Sequence, residues 1–227
     1  MAGRSAAADR RGVGDIAHLT FTPDDHTRIA AAIQSAEAGT TGEIYAVFTH
    51  QSGIYAFVAA TVALGLSLAA CLATALVASI AGIAVPALGL ILCQLLAAGL
   101  VGVVLWRAPR LRLAFVPRAV TEARAHDAAL RQFAAHGIHL TDQRTGVLIF
   151  VSEAEHHAEI VADAGIAAKV PQETWDQIVS DLITAARENR LADGYVAAIT
   201  AAGKVLGEHF PGDATNPNEL PDQLVVI

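Results

Sequence analysis

Only 16% of the 227 residues in this sequence are charged, and charged residues are missing altogether between Glu43 and Arg107. Both cysteines, Cys71 and Cys93, fall inside that uncharged stretch, which excludes a disulfide framework and a cysteine-based zinc site in the charged parts. The 15 basic residues are outnumbered by 22 acidic ones, and no basic stripe is long enough to neutralise a run of phosphates. We therefore expect no nucleic-acid binding and a chain divided into an apolar part and a globular part.

The common sequence signatures of catalysis are missing as well. The chain has no G-x-S-x-G elbow, no Walker loop and no G-x-G-x-x-G fingerprint. Histidine pairs occur at His136 with His139 and at His156 with His157, and neutral imidazoles are favoured ligands of zinc. A helix end and a polar turn explain these histidines better as solvated side chains, so we predict no metal site from them.

Small and branched apolar residues are abundant, and they make up most of residues 54–106. A membrane-spanning helix needs about 20 such residues, so this stretch accommodates two helices. Gly82 and Pro86 mark the break between them. We predict a transmembrane hairpin with helices at about Tyr55–Ala78 and Pro86–Trp106. A buried hairpin is disfavoured because the remaining chain, about 170 residues, is too short to enclose it.

The charges that flank the hairpin predict its orientation. The turn carries no charge, whereas four arginines follow the second helix: Arg107, Arg110, Arg112 and Arg118. Since basic residues near membrane ends favour the cytoplasmic side, both termini should be cytoplasmic, in a two-pass protein of the inner (plasma) membrane whose first partner is the lipid bilayer. Residues 1–18 lack the apolar core of a secretory signal, and we expect a disordered tail there.

The charged parts show the patterns of a mixed α/β domain. Thr22 and Pro23 are typical of a helix start, and Gly39 of its end. Residues Pro117–His136 fit an amphipathic helix, with these side chains predicted to point inward: Val120, Ala123, Leu130 and Phe133. The other predicted elements are strands at Glu43–Thr49, Gly146–Val151 and Ala158–Ala162, and helices at Gln172–Glu188 and Asp193–His209.

Together these elements predict a single layered α/β domain that is interrupted by the transmembrane hairpin. The order is helix-strand before the hairpin and helix-strand-strand-helix-helix after it. The apolar run Gly146–Val151 is typical of a strand covered on both faces, and the polar turn Ser152–His156 predicts an antiparallel partner. We place the first part of the domain at residues 19–53, the hairpin at 54–106, the second part at 107–211 and a C-terminal extension at 212–227.

Three short motifs resemble the TPM domain family: Thr41-Gly42-Glu43-Ile44, the run TGVLIFVS at residues 145–152, and the run AEIVADAGI at residues 158–166. The chain is similar to a bacterial branch in which a membrane hairpin interrupts the domain and the C-terminal part has a segment like Asn218-Glu219-Leu220-Pro221-Asp222. The resemblance implies an α/β sandwich. For function it implies either phosphatase chemistry or an assisting role, since plant thylakoid members have been described as acid phosphatases or as helpers in photosystem repair.

The resemblance also implies where a site would lie. Family members commonly carry an acidic residue and an asparagine before the Gly-Val-Leu strand, and here those positions hold Arg144 and Thr145. A cation in place of an anion weakens the case for calcium or another divalent cation, and Asp163 is the candidate metal ligand that remains. The candidate ligand pocket therefore consists of Glu43, Asp142, Arg144 and Asp163, with no cofactor expected and no catalytic residue assigned.

From these observations we predict a membrane-anchored TPM-like protein that acts as a non-catalytic interaction or regulatory module at the cytoplasmic membrane face. Its protein partner would be another membrane protein or a second copy of this chain. The alternative is a metal-assisted acid phosphatase of the TPM type. The absence of a convergent catalytic set in the sequence favours the module.

Overall fold

The structure, a computed structural model, describes residues 19–53, 55–212 and 217–227. The tail predicted at residues 1–18 lies outside the described residues. Helix α1, Pro23–Glu37, begins where its sequence predicts. The hydroxyl of Thr22 accepts the N–H of Asp25 at 3.2 Å, and the Asp25 carboxylate accepts the N–H of Thr22 at 2.9 Å. This reciprocal capping box, with proline in the first turn, fixes the start of the helix.

All the helices and strands predicted from the sequence are present, and several short elements are added. After α1 the chain forms β1 (Glu43–Thr49), α2 (Ala56–Ile80), α3 (Ala87–Arg107), α4 (Pro109–Ala114), α5 (Arg118–Ala135), a 3-10 turn (Ile138–Leu140), β2 (Gly146–Ser152), β3 (His157–Ala162), α6 (Ala164–Ala167), α7 (Gln172–Arg187), α8 (Leu191–His209) and β4 (Leu224–Val226). The additions are α4, the 3-10 turn, α6 and β4.

One sheet with the strand order β3-β2-β1-β4 forms the centre of the domain. Strands β1 and β2 pair in parallel, from Glu43 opposite Gly146 to Thr49 opposite Ser152. Strand β3 is antiparallel to β2, as the short turn between them predicts. The predicted α/β class is confirmed: the domain has a single mixed sheet with helices, and the two apolar helices lie in the connection from β1 to β2.

Helices cover both faces of the sheet, which is why every residue of β1 and β2 is buried. One face packs against α1, α7 and α8, through side chains such as Phe48, Ile149 and Trp175. The other face packs against α5 and the 3-10 turn, through Tyr45 and Phe150 among others. Alternate residues of each strand serve the two layers, so both strands have the continuous apolar pattern of a sheet covered on both sides.

The face of α5 that packs on the sheet differs from the predicted one. Val120, Ala123 and Leu130 were expected to point inward but are exposed, and Phe133 is half-buried. The buried side chains of α5 are small ones: Thr121, Ala125, Ala128 and Ala129. Small side chains let the helix lie close to the sheet, so close packing rather than the size of single side chains decides which face turns inward.

Helices α2 and α3 are long and apolar enough to span a membrane, over Ala60–Ile80 and Ala87–Arg107. Only 11% and 6% of these two spans is buried, so the rest of the described chain does not cover them. Large apolar side chains are strongly exposed, with Leu72 at 72% and Leu96 at 74%. Such a surface would be highly unfavourable in water and favourable in a lipid bilayer.

The C-terminal segment, predicted only as an extension, adds a strand to the sheet. Strand β4 runs parallel to β1, with Ala46 opposite Leu224. The N–H of Ile227 donates to the carbonyl of Phe48 at 2.9 Å. The segment thereby covers one edge of β1, whose backbone groups would otherwise be open for pairing with another chain.

Candidate functional site

The four residues of the predicted ligand pocket lie at one end of the sheet, where β1 and β2 begin and β3 ends. Glu43 opens β1 opposite Gly146 of β2. Asp163 follows β3 and donates its N–H to the carbonyl of Gly146 at 2.9 Å. Asp142 and Arg144 lie in the loop that leads into β2. Two strand spacings, about 10 Å, therefore separate the backbones of Glu43 and Asp163.

The 3-10 turn fills the space above Gly146. A Cβ added to Gly146 would lie 2.3 Å from the carbonyl oxygen of Ile138, so only glycine permits this close approach. Glu43 and Asp163 flank Gly146 in the strand register. Ile138 therefore packs between the two carboxylates and keeps them from forming one open pocket.

Glu43 is buried, 1% exposed, and its carboxylate holds the C-terminal segment. Its Oε2 accepts the N–H of Leu220 at 3.1 Å, while its Oε1 has no hydrogen-bond partner in the described part of the chain. Burial raises the pKa of Glu43, and the N–H groups of Leu220 and Glu219 oppose that rise. The N–H of Asp142 donates to the Glu219 carboxylate at 3.1 Å. Glu43 and Asp142 thus both fix residues 219–220.

A second carboxyl, Glu37 at the end of α1, lies beside Glu43. Its Oε1 accepts the N–H of Ile44 at 2.6 Å. Burial is the largest cause that raises the pKa of Glu37 to about 9, and the negative charges of Glu43 and Asp222 add to it. The Ile44 N–H opposes the rise but does not outweigh it. At neutral pH the Glu37 carboxyl therefore keeps its proton and interacts with the Asp222 carboxylate as a hydrogen-bond donor.

Asp163 caps the short helix α6. Its Oδ1 accepts the N–H of Ala164 at 2.6 Å, and its Oδ2 is buried without a hydrogen-bond partner among the described residues. Arg144 has a left-handed backbone, with φ 55°, and an exposed side chain. Its carbonyl oxygen faces Gly165, where an added Cβ would come within 2.5 Å. Arg144 therefore contributes backbone geometry to this corner, and its guanidinium points outward to solvent.

As a metal site this corner is incomplete. The Asp163 Oδ2 and the carbonyls of Gln143 and Arg144 are oxygen donors of the kind that calcium prefers. Calcium takes about six to eight oxygens, however, and Glu43 is separated from Asp163 by Ile138. Across residues 19–53, 55–212 and 217–227, no three His, Cys, Asp or Glu side chains come together as possible metal ligands. The residues present do not fit a divalent cation here.

The histidine pairs have structural partners of their own. His136 is half-buried and stacks on Tyr45 with ring centroids 4.6 Å apart. Both of its ring nitrogens are hydrogen bonded, Nδ1 to the Tyr45 hydroxyl at 3.0 Å and Nε2 to Gln132 at 3.1 Å. The prediction of a solvated side chain is therefore wrong for His136. In the β2–β3 turn His156 is exposed, whereas His157 is half-buried.

The opposite end of the sheet joins the domain to the apolar helices, and the sequence analysis did not single it out. Tyr55, directly before α2, is fully buried, and its hydroxyl donates to Glu155 at 2.9 Å. The N–H of Ser52 donates to the same carboxylate at 3.1 Å, and the hydroxyl of Ser152 donates to it as well. Glu155, in the turn between β2 and β3, therefore ties the start of α2 to the end of the sheet.

The sequence located the predicted site residues correctly at one corner of the fold, but it did not predict which groups they contact. The acids at Glu219 and Asp222 were visible in the C-terminal motif, but acidic residues carry no signal for a contact with another carboxylate such as Glu43. The sequence also contained no signal for the contact of Tyr55 with Glu155, because the two residues lie 100 positions apart and neither belongs to a recognisable motif.

Comparisons with known proteins find one matching family model and one solved structure with a similar fold. Residues 109–205 match the family model described as the TPM domain, which confirms the resemblance seen in the sequence. Among solved structures, the chain is similar to the NMR structure of BA42 protein from the psychrophilic bacterium Bizionia argentinensis sp. nov.. That match has a TM-score of 0.58 and 19% identity, and it covers 94% of this chain and 99% of the other. The comparison with curated protein sequences gives no match.

Proposed function

We propose that this chain, of which residues 109–205 match the TPM domain model, is a membrane-anchored, non-catalytic module that presents its α/β domain to a partner at the cytoplasmic face of the inner membrane. In this proposal α2 and α3 are the anchor. The sheet and its covering helices are the part that meets another membrane protein or a second copy of the chain. The observation that carries the proposal is the rigid joint between anchor and domain.

The joint is short and buried. Residues 50–55 alone lead from β1 into α2, and Tyr55 packs against Val58 and Val116. Its hydroxyl is held by Glu155, as described above. A domain on a flexible tether gains nothing from such contacts, whereas a domain that presents one surface beside a membrane gains a fixed orientation.

The charges near the helix ends support a cytoplasmic domain. Arg107 ends α3, and Arg112 and Arg118 follow it, whereas the turn between α2 and α3 carries no charge. Positive charge at the open end of a hairpin favours retention of that end in the cytoplasm. Both termini would then lie on the cytoplasmic side.

The use of the carboxyl groups at the corner supports a module over an enzyme. Glu43 accepts the N–H of Leu220, and Asp163 accepts the N–H of Ala164. A catalytic acid or base must be within reach of a substrate, whereas both carboxylates are buried and the backbone of the chain itself occupies one oxygen of each. The corner therefore stabilises the domain.

Two measurements on the full chain test the anchored arrangement. Alkaline carbonate extraction of membranes should leave the protein in the membrane fraction. A reporter that is active only in the cytoplasm, fused after Ile227, should be active, and one fused at Gly82 in the turn should be inactive. Extraction into the soluble fraction, or the opposite pattern of reporter activity, would overturn the proposal.

One observation favours the alternative of a metal-assisted acid phosphatase, namely the buried Asp163 Oδ2 without a partner among the described residues. The test is phosphate release from p-nitrophenyl phosphate, with and without calcium or magnesium, by the wild-type chain and by Asp163→Asn. Asp142→Asn is the matched control because Asp142 lies in the same region with an exposed side chain. We expect no release above background from any of the three. Cation-dependent release that is lost only in Asp163→Asn would establish the phosphatase.

A further inference from the structure

A cavity of about 680 Å³ lies beside the joint between the domain and the apolar helices. It is bounded by the connector that precedes α2, by α4 and by α5. Its charged lining consists of Arg112, Arg124, Arg131 and Asp127, which gives three positive charges against one negative. The volume is in the usual range for small-molecule sites, about 300–1,000 Å³.

The fold brings the side chains of these three arginines to the same cavity. Arg124 and Arg131 are seven positions apart on α5, so they lie on the same side of that helix. Arg112 comes from α4, shortly after the end of α3. The guanidinium of Arg124 lies 5.1 Å from the ring centroids of both Tyr55 and Phe57, which orients it next to the first turn of α2.

Arg112 lines the cavity and has one hydrogen-bond donor that the described residues leave unused. Its Nε is buried and finds no acceptor in the described part of the chain. A buried N–H without an acceptor is costly, so such a group points to a missing acceptor. Retention of the hairpin by positive charge needs arginines on the correct side of the membrane, but it does not require one with a buried donor that lacks an acceptor.

Two acids, Glu155 and Asp127, lie near the cavity, and the three arginines outnumber them. Glu155 lies behind Tyr55 and accepts hydrogen bonds from Tyr55, Ser52 and Ser152. Asp127 is the acid that lines the cavity itself. The local balance of charge therefore favours an anion, and the planar fork of arginine suits the oxygens of a phosphate group.

We propose that this arginine cavity binds a phosphate ester, of the kind that the headgroup of an anionic phospholipid presents at the membrane surface. The lipid form of this inference rests on the membrane anchorage proposed above, because the ends of α2 and α3 then place the cavity at headgroup level. Binding of a headgroup there would help to fix the domain against the bilayer.

The test measures binding to the full chain, purified in a neutral maltoside detergent, by isothermal titration calorimetry at constant ionic strength. The probes are dihexanoyl phosphatidylglycerol, dihexanoyl phosphatidylcholine and inorganic phosphate. We expect Arg112→Gln and Arg131→Gln each to weaken phosphatidylglycerol binding by at least about tenfold, the effect of losing one charge-assisted contact. Arg112→Lys, which keeps the charge but loses the fork, should be intermediate.

Arg118→Gln is the matched control. It removes one positive charge near the same helix end, but Arg118 is highly exposed, pairs with Glu122 at 2.7 Å and lies outside the cavity. This variant should bind phosphatidylglycerol within about twofold of the wild-type chain. Arg131 is exposed, so Arg131→Gln keeps the test decisive if Arg112→Gln does not fold. Equal effects of Arg118→Gln and Arg131→Gln, or no effect of either cavity variant, would overturn the site.

The probes separate the two sources of phosphate. Tighter binding of phosphatidylglycerol than of inorganic phosphate or phosphatidylcholine supports the lipid headgroup. Inorganic phosphate that competes with equal affinity would overturn the lipid form and assign the cavity to a soluble phosphate ester. Because these measurements are made in detergent, they do not depend on membrane insertion. Binding that survives while carbonate extraction solubilises the protein would refute the anchorage alone.

Discussion

The carboxyl of Glu37 should make the stability of the domain fall as pH rises. Its pKa is raised from 4.5 to about 9, mainly by burial and further by the charges of Glu43 and Asp222. Between these two pH values the folded chain keeps a proton that the unfolded chain has released, so each rise in pH favours unfolding. The stabilisation is fully present below pH 4.5 and is lost progressively up to about pH 9.

The expected magnitude follows from the shift and from the exposure of the group. Each pH unit corresponds to about 1.4 kcal/mol, so the whole shift would amount to about 6 kcal/mol. Glu37 is only partly buried, so this figure is an upper bound on its contribution to the free energy of unfolding. Glu37→Gln keeps an acceptor for Ile44 and offers Asp222 a neutral donor at every pH. Relative to the wild-type chain, we expect the variant to gain several kcal/mol, at most about 6, at about pH 9 and to be unchanged near pH 4.5.

Urea unfolding of the full chain in a neutral detergent measures this difference, with the fluorescence of the buried Trp175 as the signal. Trp106, the other tryptophan, is replaced by phenylalanine in every variant so that only the domain reports. Glu208→Gln, at an exposed position on α8, is the control and should keep the wild-type pH dependence. The reasoning is refuted if Glu37→Gln retains the wild-type slope, or if it destabilises the domain at about pH 9.

Three further changes test the packing. Tyr195→Phe removes a buried hydroxyl that donates to the β1 backbone at 2.7 Å, and should cost about 1 kcal/mol of unfolding free energy. Gly203→Ala would place a Cβ 2.5 Å from that of Ala36 and should destabilise the α1–α8 contact by about 1–3 kcal/mol. Gly207→Ala, with no atom closer than 4.0 Å, should stabilise by up to about 1 kcal/mol in the same urea assay. Replacing residues 54–106 by a flexible linker should leave a soluble domain that unfolds cooperatively, because α2 and α3 return the chain to the sheet. Unfolding of this variant is followed by circular dichroism. The absence of a single transition would contradict the prediction.

Strands with strong local patterns could be predicted closely from the sequence. Glu43–Thr49 was predicted with the bounds that the structure shows, and Gly146–Val151 ends one residue early. Both are apolar runs of strand length that fit a sheet covered on two faces. Strand β4 could not be predicted, because Leu224–Val226 is too short to carry a pattern and exists only as a partner of β1.

The inward face of α5 shows a different limit of sequence reasoning. Hydrophobic size pointed to Val120 and Leu130, yet the structure packs Ala128 and Ala129 on the sheet. The helix comes close to the strands through its alanines, and that gain in contact depends on the distance between layers, which no local pattern contains. A periodicity of apolar residues therefore predicted the helix correctly but chose the wrong face.

The candidate site could be predicted in its position along the sheet but not in its chemistry. Glu43 and Asp163 do lie at the same end, because they border paired strands. Whether two carboxylates share a pocket depends on what packs between them, and here Ile138 does so from a turn that the sequence did not reveal. The elevated pKa of Glu37 likewise depends on the return of the C-terminal segment to the start of β1.

The two ends of the sheet should have separable roles. Ligands of open α/β sheets usually bind outside the carboxyl ends of the parallel strands, and here the carboxyl end of β1, at Thr49, leads to the arginine cavity and the apolar helices. The amino ends hold the carboxyl groups that fix the C-terminal segment. Glu37→Gln should therefore change stability without changing phosphatidylglycerol affinity, and Arg131→Gln should do the reverse. The double variant should show the sum of the two effects, within about 0.5 kcal/mol, since distant sites without shared partners are additive. A larger departure from additivity would mean that the two ends of the sheet are coupled through its strands.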